Sequence, residues 1–277
     1  QKMYHEISPE TGEFIDFMIE HEMMDLQNKP GKASTGYMTS LPSLKAPFVF
    51  SCFNHTIFDM QVMTHELGHA FAGYMAMRSQ PISDYYHEST DIAEIHSMSM
   101  EQFAYPYAEW FFGDQADKFR FAHLQEALTF VPFGVAVDEF QHICYAHPEM
   151  TPKERTYQWH LLEEKYMPWR KYENDEFMQR GGYWYHKLHI YLYPFYYINY
   201  TLTTMGAMEF KKKYAEDKAA AWQDYLNLCK SGGSRSYLET LRYANLSVPF
   251  EAGSVERACG YAENILLEQL KEQEQKA

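Results

Sequence analysis

Residues 58–72, Phe58-Asp59-Met60-Gln61-Val62-Met63-Thr64-His65-Glu66-Leu67-Gly68-His69-Ala70-Phe71-Ala72, decide how the rest of this chain is read. The stretch has no proline and carries apolar residues at Val62, Leu67, Ala70 and Phe71, as a buried helix does. On that helix His65 and His69 are four residues apart and point from one face, and Glu66 stands beside them without competing for the same coordination position. Two imidazoles and a carboxylate in this register suit one zinc ion and an attacking water, with Glu66 as the general base that passes a proton to a leaving amine. Gly68 costs about 1 kcal/mol of helix propensity relative to Ala. A residue that small beside two ligands lets another element approach closely.

A structural zinc site closes four protein ligands around the metal, whereas a catalytic one keeps three and leaves a position for water. A third His six residues after His69 is ruled out, because that position is Met75. The remaining source is a carboxylate on the next helical stretch, which offers Glu88, Asp91, Glu94 and Glu101. Glu94 and Glu101 share a face, and Ile95, Met98 and Met100 supply the apolar surface that packs on the first helix. One of the pair can bind zinc while the other orients a ligand from behind.

His65-Glu66-Leu67-Gly68-His69-Ala70-Phe71 followed by Glu94-Ile95-His96-Ser97-Met98-Ser99-Met100-Glu101 resembles the thimet oligopeptidase and oligoendopeptidase F family of zinc peptidases. The resemblance continues in Pro47-Phe48-Val49-Phe50-Ser51-Cys52-Phe53-Asn54, in Val137-Asp138-Glu139-Phe140-Gln141-His142, and in the segment from His189 to Tyr200, so it covers nearly all of the chain. It implies that the third ligand is Glu94, 25 residues after His69, in preference to its rival Glu88. It also implies one zinc ion per chain, a helical zincin-type catalytic domain, and cleavage of internal bonds in short unstructured peptides. The family uses residues of the His189–Tyr200 segment to stabilise the oxyanion, which points to His189, Tyr191, Tyr196, Tyr197 and Tyr200. In the family an N-terminal portion forms the wall opposite the catalytic one. Nothing here corresponds to it, so the chain is expected to be the C-terminal catalytic part of a longer enzyme, with that portion as a partner.

The bulk properties agree with a folded globular protein. The chain has 277 residues, 46% of them hydrophobic and 17% aromatic, enough to bury a substantial core. Twenty-three Tyr exceed what a core needs and suit a wet cleft. A formal charge of −14 argues against a nucleic-acid partner. Cys52, Cys144, Cys229 and Cys259 are far apart and read as reduced core cysteines of a cytoplasmic protein. No run approaches the roughly 18–20 apolar residues of a membrane span.

Along the chain, Ser8 to Leu26 reads as an amphipathic helix capped by Ser8-Pro9-Glu10, and Asn28 to Gly36 as a breaker. Strands are expected at 36–40 and 46–53, the second with an exposed edge able to pair with a peptide. Helices are expected at about 56–78, 88–112, 114–146, 152–166, 183–212, 214–230, 234–244 and 254–274. Pro194 is expected to kink the helix that carries His189 and the tyrosines. The result is a mainly α fold with a small antiparallel β-sheet, in a single catalytic domain over residues 1–277. His5, His21, His123, His147 and His160 read as surface or structurally satisfied histidines. Two other readings compete. Glu66…His69 and Glu139…His142 with Glu20 and Glu101 could form a di-iron carboxylate bundle, or the chain could be an inactive peptide-binding fragment.

Overall fold

The computed structural model describes residues 1–33 and 35–276, without the side chains of Gln273 and Lys276; Ser34, inside the expected breaker run, lies outside the described residues. These residues form two compact units. The first comprises Gln1–Leu124 and Thr203–Ala277, the second Gln125–Leu202. The fold is mainly helical with one small sheet.

The first unit opens with α1 (Lys2–Ile7) and α2 (Pro9–Glu20). Ser8 caps α2 as expected, in a capping box whose return bond comes from Thr11. The helix expected to reach Leu26 stops at Glu20. Glu22 takes a left-handed conformation, and the Met23 N–H donates back to the Met18 carbonyl, so the helix closes on itself. Met24 is thereby released into a strand, β1 (Met24–Gln27), followed by β2 (Tyr37–Leu41) and β3 (Ala46–Phe53).

The strand order is β1-β3-β2. β2 and β3 form the expected antiparallel pair, with Leu41 opposite Ala46, but β1 joins β3 in parallel, with Met24 opposite Val49. The sheet is therefore mixed. β3 is its central strand, so the edge expected on Phe48 to Asn54 for pairing with a peptide is taken by β1 on one side and β2 on the other.

From β3 the chain turns directly into α3 (Ile57–Ser79). Asp59 accepts hydrogen bonds from the N–H groups of Asn54 (3.1 Å) and His55 (2.7 Å), tying the strand end to the first helical turn. α4 (Thr90–Phe103) returns along α3; short helical segments follow, including α5 (Glu109–Phe112), before the long α6 (Ala116–Ala146). α3 also packs on β2, β3 and α11 (Lys218–Ser231). Phe14, Phe71, Phe103, Phe210 and Tyr225 are buried at this junction, with Phe103 edge-on to Tyr225 at 4.9 Å. The later part of α10 (Ile198–Glu216), α12 (Tyr237–Tyr243) and α13 (Ser254–Lys276) complete the unit.

The second unit holds most of α6, then α7 (Pro152–Tyr166), α8 (Glu176–Gln179), α9 (Leu188–Leu192) and the start of α10. Its core is aromatic: Trp159 is fully buried and meets Phe140 edge-on at 5.4 Å. The single kinked helix expected over 183–212 is instead a break between α9 and α10. Pro194 has no N–H to continue the ladder, Phe195 adopts a left-handed conformation, and the Phe195 N–H donates to Gln141 Oε1 at 2.8 Å. Both unit boundaries fall inside α6 and α10, with no linker at either.

Candidate metal centre

The centre is built on the contact between α3 and α4. A methyl group on Gly68 would stand 2.6 Å from Ser97 Cα and 3.0 Å from the His96 carbonyl oxygen, so only glycine lets the two backbones come this near. That approach sets Glu94, on α4, against the two histidines of α3. Glu94 Oε2 lies 3.1 Å from His65 Nε2 and 3.5 Å from His69 Nε2. One ligand atom from each of His65, His69 and Glu94 lies within 4.8 Å of the others, and among the described residues this is the group that could hold a metal ion. Two imidazole nitrogens and a carboxylate oxygen are a donor set used by open zinc sites, so the residues fit the ion that the motif implies.

Glu66 stands next to this trio. It is buried, its Oε2 accepts no hydrogen bond among the described residues, and Gly36 leaves the space beside Oε1. Burial raises its carboxyl above the ordinary range, against the pull of His65 and His69. A buried carboxylate with a spare oxygen and raised basicity is what proton transfer requires.

The charges are tightly coupled. Burial by itself lowers the His65 imidazole, but its hydrogen bonds to Glu101 and Glu94 outweigh that and raise it to about 10. Glu94 is pushed up by desolvation, yet the bonds from His65 and His69 prevail and hold it well below the usual carboxylate range. The pocket of carboxylates thus favours a positive charge between them, a proton or a cation alike.

Glu101 stands behind His65: its Oε1 accepts from Nδ1 at 2.6 Å, leaving Nε2 aimed at Glu94. Its other oxygen is 2.5 Å from His123 Nε2, and His123 Nδ1 is 2.6 Å from the Tyr105 hydroxyl. From the sequence, His123 reads as a surface or structurally satisfied histidine. His123 is buried at the back of the candidate centre, and no local spacing announced it, because it sits on a different helix from Glu101. The rival Glu88 is engaged elsewhere, with Oε1 3.2 Å from His96 Nδ1.

The other expected residues belong to the second unit. His189 stacks on Tyr196 (6.2 Å) and meets Tyr197 (5.1 Å) and Tyr200 (5.8 Å) edge-on, so these four rings form one cluster; Tyr191 stacks instead on Trp184 at 5.7 Å. Burial and the nearby Lys187 lower the His189 imidazole, while burial raises the Tyr197 phenol to about 12. Of the di-iron set, Glu139 is held by Lys165 (2.9 Å) and Tyr166, and His142 is exposed beside Asp138. The four cysteines are free, and among the described residues no helix is long and apolar enough to cross a membrane.

The sequence model described as peptidase family M3 matches residues 8–259. A curated protein from Borreliella burgdorferi, named an oligoendopeptidase F homolog, is 24% identical over 240 residues, which is 85% of this chain and 40% of that protein. Among solved structures, a candidate oligoendopeptidase F superposes with a TM-score of 0.86 at 50% identity, over 96% of this chain and 47% of that one. PZ peptidase A with an inhibitor gives 0.87 at 49% identity, over the same shares. The chain thus spans about half the length of its solved relatives.

Proposed function

Because this chain belongs to peptidase family M3, we propose that it is the catalytic portion of a zinc endopeptidase that cuts internal bonds of short unstructured peptides. The observation that carries the reading is the convergence of His65, His69 and Glu94 beside a buried Glu66 whose Oε2 is unengaged among the described residues. His65, His69 and Glu94 would hold one zinc ion per chain, and the ion, when bound, supplies Lewis acidity to the scissile carbonyl. Glu66 takes a proton from the attacking water and delivers it to the departing amine. Glu101 keeps the His65 Nε2 lone pair directed into the site. By family resemblance, His189 and one or more of Tyr191, Tyr196, Tyr197 and Tyr200 donate to the developing oxyanion.

The reading extends to the whole protein. Residues 1–277 act as one catalytic part, and an N-terminal portion of the same cytoplasmic enzyme completes the substrate channel. Metal analysis joined to cleavage of an internally quenched peptide, on this chain and on a longer one, tests it. About one zinc per chain with hydrolysis is expected; two irons with visible absorbance, or zinc without hydrolysis in either length, would overturn it.

A further inference from the structure

The two hydrogen bonds at Glu101 have only one direction. An ionised carboxylate accepts and cannot donate, so both Glu101 contacts must be donated to it: one by His65 Nδ1–H, the other by His123 Nε2–H. When the His123 ring carries its proton on Nε2 alone, Nδ1 accepts from the Tyr105 hydroxyl, 2.6 Å away. Burial, and then the Glu101 charge, keep the Tyr105 phenol protonated for that task. The Lys211 side-chain nitrogen lies 3.6 Å over the Tyr105 ring, and the Arg120 guanidinium donates to the Tyr105 main-chain carbonyl at 3.1 and 3.0 Å, which fixes the backbone that carries the phenol. Both rings and the carboxylate are buried, so bulk water competes little for these bonds.

We propose that His123 and Tyr105 are positioning residues: they hold Glu101 as a doubly accepting carboxylate aimed at His65 Nδ1, and through it fix the His65 tautomer that presents Nε2 to the metal. This rests on the zinc reading of the centre, since a ligand's tautomer matters only where a metal uses it. Without His123 the buried Glu101 loses one of its two donors and turns from His65. Groups that orient a ligand from behind carry about 10–100-fold of metal affinity.

The test uses the whole chain and Zn2+, with affinity from chelator competition, and with exchange of the hydrogen-bonded His65 ring N–H followed by NMR in the metal-free protein. His123→Leu is expected to weaken zinc by about 10–100-fold and to speed exchange of the His65 ring proton. His123→Gln, which can still donate to Glu101 and accept from Tyr105, should recover much of both. Tyr105→Phe should fall between wild type and His123→Leu. Melting curves identify any variant that has merely unfolded, and His123→Gln supplies the folded comparison. Unchanged zinc affinity and unchanged ring-proton exchange in folded His123→Leu would overturn the proposal. A wild-type chain that binds no Zn2+ would overturn the zinc reading instead, while the exchange measurement would still judge the role of His123.

Discussion

Gly68 and Ser97 touch backbone to backbone, and this contact brings the carboxylate of Glu94 to the two histidines. The first consequence is steric. Gly68→Ala adds a methyl group where the nearest atoms are main chain, which cannot rotate away, so the helices must part. A loss of about 1–3 kcal/mol of stability is expected, read as a lowered melting midpoint, together with weaker zinc binding as Glu94 moves off. A stable variant with wild-type affinity would show that the approach is not needed.

Glu66→Gln separates base from ligand. The variant should keep about one zinc per chain, while peptide cleavage falls by the roughly 10²–10⁴-fold typical of a lost general base. If the metal left with the carboxylate, Glu66 would have to be reassigned as a ligand.

The carboxylates Glu88, Glu94 and Glu101, on and just before α4, should rank by what each one touches. Glu94→Ala removes one of three donors and should reduce zinc binding most, and Glu101→Ala should cost about 10–100-fold. Glu88→Ala should leave zinc affinity nearly intact. It should lower stability by about 1–3 kcal/mol, because buried His96 loses the carboxylate at its Nδ1, which the Ala93 carbonyl 3.2 Å away replaces only in part. A dominant zinc defect in Glu88→Ala would move the third ligand to that residue.

Acid should compete with the metal. Hydrogen bonds to Glu101 and Glu94 raise the His65 imidazole to about 10 in the chain without metal, so binding displaces a proton across the acid and neutral range. Zinc affinity should rise by up to about tenfold per pH unit on going from acid toward neutral pH. For the metal-free chain the sign is opposite: a raised imidazole contributes stability that is complete below its ordinary value and is lost as pH climbs through about 10. Chelator competition and urea melts at several pH values read the two trends, and a pH-independent affinity would contradict the coupling.

The tyrosine segment is tested by removing hydroxyls one at a time. In Tyr191→Phe, Tyr196→Phe, Tyr197→Phe and Tyr200→Phe, the donor to the oxyanion should lose about 2.7–4 kcal/mol of transition-state stabilisation, visible in kcat and kcat/KM together with zinc content unchanged. Full activity in all four, and in His189→Ala, would place the donor elsewhere.

The parts legible in the sequence are those governed by local period. His65, Glu66 and His69 fall on one helix, the apolar positions around them mark it as buried, and a small residue at 68 foretold a close neighbour. α7 covers Pro152–Tyr166, the span expected for it. The failures come where long-range packing overrode local pattern. Met23 and Met24 continue the apolar stripe of α2, yet a left-handed Glu22 diverts them toward β3, a partner more than twenty residues downstream that no window reveals. Pro194 was visible as a disturbance, but whether it kinks or ends a helix depends on Gln141, which receives the freed N–H of Phe195. His123 was hidden for the same reason, since its meaning lies entirely in Glu101.

In polymer terms, the Gly68–Ser97 contact is a loop closure. Confining the ends of a segment this long costs the unfolded chain on the order of 3–4 kcal/mol of entropy by the chain-closure relation, and helix packing, not ligation, meets that cost. An ion that joins His69 to Glu94 therefore bridges two points already held together, so little of its binding energy is diverted into ordering the chain between them.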